Sequence, residues 1–142
     1  MSGPSPVSLG PHDLAAAFPF HFACDSDLVV TSVGGSLAKL CPALRAGVRW
    51  MEVLRVDRPS SSSTAEGLRR NLDEAHVLGD GTGRWRLRGQ FVTPLSGGLV
   101  FLGSLWLEHA DELVALDLDT HDFAVHDPTI DHLLARQLQG IA

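Results

Sequence analysis

The sequence predicts an α+β domain: a five-stranded antiparallel sheet with short helices on one face and a further helix at the C-terminus. Three observations predict it. Phenylalanines at 18, 20 and 22 alternate with Pro19, His21 and Ala23, which is the period of a half-buried strand. From Ala75 to Leu107, apolar runs are separated by Gly79-Asp80-Gly81-Thr82-Gly83 and by Pro94 to Gly98, the punctuation of an antiparallel meander. Between these two regions, Pro42 and Pro59 cut residues 36–73 into short helical pieces. A chain of 142 residues with 44% hydrophobic content suits one domain with one core.

The elements follow in order. Met1 to Pro11 is rich in Gly, Pro and Ser and reads as a flexible arm (1–11), with neither the basic nor the apolar part of a signal peptide. Asp13 can cap an alanine-rich turn over Leu14 to Ala17. A strand from Phe18 to Cys24 places Phe18, Phe20, Phe22 and Cys24 on a core face and His21 on the opposite one, and after the turn Asp25-Ser26-Asp27 a second strand runs from Leu28 to Val33. Short helices are expected over Ser36 to Leu40 and Trp50 to Val56, a mobile loop over Ser60 to Ser63, and a third helix from Thr64 to about Asp73. Strands over Ala75 to Leu78, Trp85 to Val92 and Leu99 to Leu107 complete the sheet. Two strands, several short helices and three strands in that order is the arrangement of a PAS fold. Its expected core is Phe18, Phe20, Phe22, Trp85, Leu87, Phe91, Leu99 and Phe101.

Both faces of the last strand are apolar. Leu99, Phe101, Gly103 and Leu105 point one way, and Val100, Leu102, Ser104 and Trp106 the other, while the neighbouring strand turns Arg86, Arg88 and Gln90 outward. A lone monomer would leave this outer face uncovered. A two-fold dimer through Leu14, Phe18, His21, Val100, Leu102 and Trp106 is therefore expected. At the C-terminus Asp127-Pro128-Thr129 starts a helix (128–142) in which Ile130, Leu134, Leu138 and Ile141 recur at the spacing of a coiled-coil seam.

Composition excludes several functions. Net charge is −6, with one lysine, Lys39, beside ten arginines, so no basic stripe suited to nucleic acid is evident. No apolar run reaches the roughly 20 residues needed to span a bilayer, so no membrane role is expected. Cys24 and Cys41 are neither a disulfide framework nor a CxxC pair, which fits a reduced, cytoplasmic chain.

No motif for chemistry stands up. Asp117-Leu118-Asp119 has the two aspartates of a haloacid-dehalogenase-type phosphatase, but His121 occupies the position of the expected Thr or Val and the only lysine is far upstream. His121-Asp122, His126-Asp127 and Asp131-His132 supply metal-type ligands, yet a helix cap accounts for Asp127. His21 or His126 could ligate haem, but strand parity turns His21 away from the core. The glycines of 79–83 lack the Lys-Ser/Thr of a phosphate loop. No catalytic residue, metal site or cofactor is expected.

Several short blocks in order carry a family resemblance. They are Phe18-Pro19-Phe20-His21-Phe22, Asp25-Ser26-Asp27-Leu28, Ser36-Leu37, Cys41-Pro42, Arg58-Pro59, Asn71, Leu87-Arg88-Gly89-Gln90, Leu99 to Ser104, Asp111-Glu112-Leu113 and His126-Asp127-Pro128. Together they resemble the H-NOX-associated (haem NO-binding associated, HNOBA) PAS-like domain of soluble guanylate cyclases and bacterial H-NOX-linked histidine kinases. The pattern departs at Thr93-Pro94-Leu95-Ser96, at Leu105 and at Ile130-Asp131. The resemblance implies a non-catalytic regulatory and dimerisation domain over 12–127. It also implies a homodimeric or heterodimeric partner, an H-NOX haem sensor upstream and a cyclase or histidine kinase output downstream. The weighed alternative is a PAS sensor that holds haem or a small apolar ligand in its own core.

Overall fold

Six antiparallel strands make one sheet in the order β2-β1-β6-β5-β4-β3: β1 (Phe22–Cys24), β2 (Val30–Val33), β3 (Arg55–Arg58), β4 (His76–Gly79), β5 (Arg86–Val92) and β6 (Leu99–Trp106). The structure, a computed structural model, describes Ser5 and residues 7–139, with side chains up to Arg136. Among the described residues five α-helices accompany the sheet: α1 (Pro11–Ala17), α2 (Gly35–Leu40), α3 (Ala65–Arg70), α4 (Asp111–Ala115) and α5 (Thr129–Gln139). The α+β, PAS-like class read from the sequence is the one observed.

The sixth strand is the main departure. Residues 50–56 were expected to be helical, yet only Trp50–Glu52 forms a 3-10 turn, and the chain then extends as β3 along β4. The alternation Leu54-Arg55-Val56-Asp57 is a period-2 signal, and the otherwise open edge of β4 supplies the ladder that satisfies it.

The first strand is shorter than the phenylalanine alternation suggests. Residues 18–21 form a turn in which the His21 amide donates to the Phe18 carbonyl (3.0 Å) and the Leu37 amide to the Pro19 carbonyl (3.1 Å). The parity argument therefore fails before Phe22. Phe20 and Phe22 are buried, Phe18 is half-exposed, and His21 is only 2% exposed, against the expectation of an outer-face histidine. At the start, Gly10 and not Asp13 is the N-cap of α1, with Pro11 in the first turn. The second strand starts at Val30, because Leu28 takes a left-handed φ of 65° that places its side chain in the core.

Inner-face residues of the sheet pack as interlocked rings. Phe22 lies 5.4 Å from Trp50 and 5.5 Å from Phe101, and Phe91 lies 5.6 Å from Trp50 and 5.1 Å from Phe101. Gly103 makes this possible, since a Cβ there would collide with the Phe101 ring folded over it. Around the rings pack Leu37 from α2, Leu68 from α3, Leu44 and Leu54 from the crossing, and Leu133 from α5. Such rings and leucines exclude water over a continuous core.

The two edges of the sheet are protected in different ways. Along β2, Val30 donates to the Val48 carbonyl (2.8 Å) and accepts from Gly47 (2.9 Å), and Trp50 donates to the Leu28 carbonyl (3.1 Å). The other edge, β3, carries Arg55, Asp57 and Arg58, has a bulge, and is followed by Pro59.

Ser60 to Ser63 is an ordered 3-10 turn in place of the expected loop. Thr64 caps α3 by accepting from the Gly67 amide (3.1 Å), and α3 ends at Arg70, earlier than the expected Asp73. Gly67 is required, because a Cβ there would overlap the Ser61 carbonyl oxygen.

Candidate functional site

The outer face of the sheet and the C-terminal helix are the two surfaces that the sequence singled out. On β6 the alternation holds throughout: Leu99, Phe101 and Leu105 are buried, Val100 and Leu102 half-buried, Ser104 exposed, and Trp106 43% exposed. Register brings these outer residues against specific neighbours. Trp106 faces Arg86, Ser104 faces Arg88, Leu102 faces Gln90, and Val100 lies between Val92 and Ala23. An apolar half over β1 and β6 thus abuts an arginine-bearing half on β5.

Phe18 joins this surface. With Leu102, Ser104, Gln90 and Arg88 it lines an open groove of about 530 Å3 whose far rim is Asp73 to Ala75. Helix α1, which delivers Phe18, buries none of its residues, and Leu14 is half-exposed on it. Of the six interface candidates, five therefore reach the surface. His21 does not: its Nδ1–H donates to the Phe18 carbonyl (2.7 Å) inside the turn. Burial pushes the His21 pKa below its ordinary value, and the hydrogen bond to Phe18 opposes this only in part.

Helix α5 starts at Thr129. Asp127 Oδ1 accepts from the Thr129 amide (2.9 Å) and hydroxyl (2.5 Å), and the His132 amide donates to the Pro128 carbonyl (2.9 Å), so Asp127 and Pro128 together fix the helix start. Leu133 is buried in the core, Ile130 packs partly against it, and Leu134 is 51% exposed. The expected seam of Ile130, Leu134 and Leu138 is therefore divided, since Ile130 is already used by its own domain. The Leu138 side chain and Ile141 lie outside the described residues. Between α5 and the end of β6 runs a second groove of about 580 Å3, lined by Trp106, Glu108, His132 and Arg136 among others.

The motifs set aside for chemistry have structural roles. Asp119 caps the 3-10 turn Thr120–Asp122 in a reciprocal capping box with Asp122. Asp80 accepts from the Thr82 amide (2.9 Å) and hydroxyl (2.6 Å) in the β4–β5 turn. His126 is exposed, with its ring edge-on to Phe18 at 6.1 Å. Among the described residues, no three His, Cys, Asp or Glu side chains converge to hold a metal ion. No described helix is long and apolar enough to cross a membrane. Burial pushes the Cys24 thiol up to about 11 and also raises Cys41, the behaviour of small core residues.

Sequence reasoning missed one polar cluster. His76, fully buried in β4, donates from Nδ1 to the Glu74 carbonyl (2.9 Å) and is paired at Nε2 with Ser62 Oγ (2.9 Å). Since the carbonyl can only accept, Nε2 is the acceptor for the Ser62 hydroxyl, which in turn accepts from Asn71 Nδ2 (3.1 Å). This serine–histidine pair has no access to a substrate, and both ring nitrogens are committed, leaving neither for iron. It ties the Ser60–Ser63 turn, α3 and β4 together. No regularity in the sequence announces it, since three residues from three elements meet only after folding.

An antiparallel sheet with short helices and an aromatic inner face defines a PAS-like domain. Residues 7–80, just over half of the chain, match the family model described as heme NO binding associated, and the chain belongs to that family. It is also similar to guanylate cyclase soluble subunit alpha-2 of Rattus norvegicus, 25% identical over 142 residues and covering 92% of this chain and 20% of that protein. The Homo sapiens protein of the same name is 25% identical over 143 residues, covering 92% of this chain and 19% of its own length. The chain thus spans about a fifth of the length of the curated relatives it matches.

Proposed function

We propose that this chain is a non-catalytic regulatory and dimerisation domain that relays the state of a haem nitric-oxide sensor to a guanylate cyclase or histidine kinase output domain. The observation that carries the reading is the outer sheet face. Val100, Leu102 and Trp106, with Phe18 in the same groove as Leu102, present apolar surface, and α1, which delivers Phe18, has no fully buried residue. A second PAS-like domain, identical or homologous, covers that surface. The similarity to guanylate cyclase subunits supports a cyclase as the parent system. In that system α5 is the output element, fixed at its start by Asp127 and Pro128 and turning Leu134 outward. Aspartates committed to caps and a buried serine–histidine pair closed to substrate support a non-catalytic role for this unit.

Sedimentation tests the reading. The chain should be dimeric at micromolar concentration, and Leu14→Asp or Trp106→Asp should shift it toward monomer, whereas His21, being buried, contributes nothing directly. A strictly monomeric chain at that concentration refutes dimerisation through this face. Fused to an output domain, the chain should also transmit helix phase: one residue inserted after Leu138 should change basal activity far more than seven, which restore the heptad. Equal responses would reduce α5 to a tether.

A further inference from the structure

The segment between β6 and α5, residues 107–128, has no partner in the sheet, yet it decides where α5 begins. Its buried apolar anchors are Leu107, Leu118, Phe123 and Ala124, with the Phe123 ring 5.4 Å from Phe20. Its polar anchors to α2 converge on one residue. Ser36 Oγ, on α2, donates to the Asp122 backbone carbonyl (2.6 Å), and Lys39 Nζ, one turn later, reaches Asp122 Oδ2 (3.1 Å). The same carboxylate oxygen accepts from the Asp119 amide (2.9 Å), closing the capping box of the 3-10 turn. Asp122 therefore joins α2, the strap and the strap's own turn at a single point. Five residues later the chain reaches Asp127, which caps α5.

Lys39 is the only lysine of the chain, and Asp117 and Asp119 stand near it as well as Asp122. Its side chain is 41% exposed, so the ion pair is open to solvent and to screening by salt, while the Ser36 bond is partly buried. The contact is thus made of one half that ionic conditions reach and one that they do not.

We propose that Ser36, Lys39 and Asp122 form a latch through which α2 holds the strap and sets the start of α5. Releasing the lysine half loosens the strap turn and the first turn of α5 while the sheet stays intact. This is a property of the folded chain and stands whether or not α5 serves as an output helix.

Hydrogen–deuterium exchange on the whole chain tests it. Lys39→Met keeps the aliphatic stem and removes the charge; it should speed exchange several-fold at the amides of His121, Asp122 and Phe123 and in the first turn of α5, with β5 and β6 unchanged. Lys39→Arg should restore the parent pattern. Raising salt from 20 mM to 500 mM should move the parent toward the Lys39→Met pattern and leave the variant where it is. Unchanged exchange over 119–132 in Lys39→Met overturns the latch. So does an equal rise in β5 and β6, which would mean a general loss of stability.

Discussion

Phe18 and Phe20 share a strand face in the alternation of the sequence, and the turn at 18–21 separates them, so truncating each in turn measures which description holds. Phe20 is 1% exposed and packs on Phe123, whereas Phe18 is half-exposed. Removing a fully buried phenylalanine ring costs about 3 to 5 kcal/mol, from lost transfer free energy and from the cavity left behind. For 142 residues the entropy of unfolding near the midpoint is about 0.3 kcal/mol/K, so Phe20→Ala should lower Tm by about 10 to 17 °C. Phe18→Ala gives up half-solvated surface at the chain's edge and should cost about 1 kcal/mol or less, a shift of about 3 °C. Thermal unfolding followed by far-UV circular dichroism, at a concentration low enough to keep both variants monomeric, reads the two shifts directly. Equal losses in the two variants would refute the turn and restore a strand from Phe18. A Phe20→Ala protein melting within a few degrees of the parent would refute the packing of Phe20 on the strap.

Two further outcomes follow from buried polar groups. Ser62→Ala strands His76 Nε2 in the core without a donor, and urea unfolding should show a loss of about 1 to 3 kcal/mol, while the exposed Ser60→Ala should be silent; equal effects would mean that the Ser62–His76 bond contributes nothing. His21 has a folded pKa below its unfolded value of 6.5, so the unfolded chain takes up the proton first: the stability it contributes is complete above about pH 6.5 and is lost as pH falls below that value. His21→Gln should flatten that slope, and a parent and variant with parallel pH profiles below pH 6.5 would rule His21 out as its source.

Period-2 patterning was legible wherever a strand was long and half-buried. Leu87 and Phe91 in β5, and Leu99, Phe101 and Leu105 in β6, occupy the inner face that their alternation demands. At Phe18 to Phe22 the same signal misled, because Pro19 offers no amide to a ladder and its carbonyl is taken by Leu37 of α2. The alternation of Leu54 to Asp57 is only four residues long, too short to displace the helical reading of Trp50 to Val56 until β4 is present to pair with it. Of the candidate surface, the outer residues of β6 were readable from parity alone. The Asp122 latch and the His76 cluster were not, since each depends on contacts between residues far apart in the chain.

The two guarded edges bear on how this domain can meet another. Val30 is already paired to the 47–48 loop on one side, and on the other β3 is short, bulged, arginine-bearing and followed by Pro59, which makes it a poor template for a visiting strand. Growth of the sheet from chain to chain is thereby disfavoured at both ends. What stays available is flat contact through the broad side of the sheet, an encounter that is complete once two faces have met. For a domain proposed to pair with one companion, guarded borders keep that pairing from propagating.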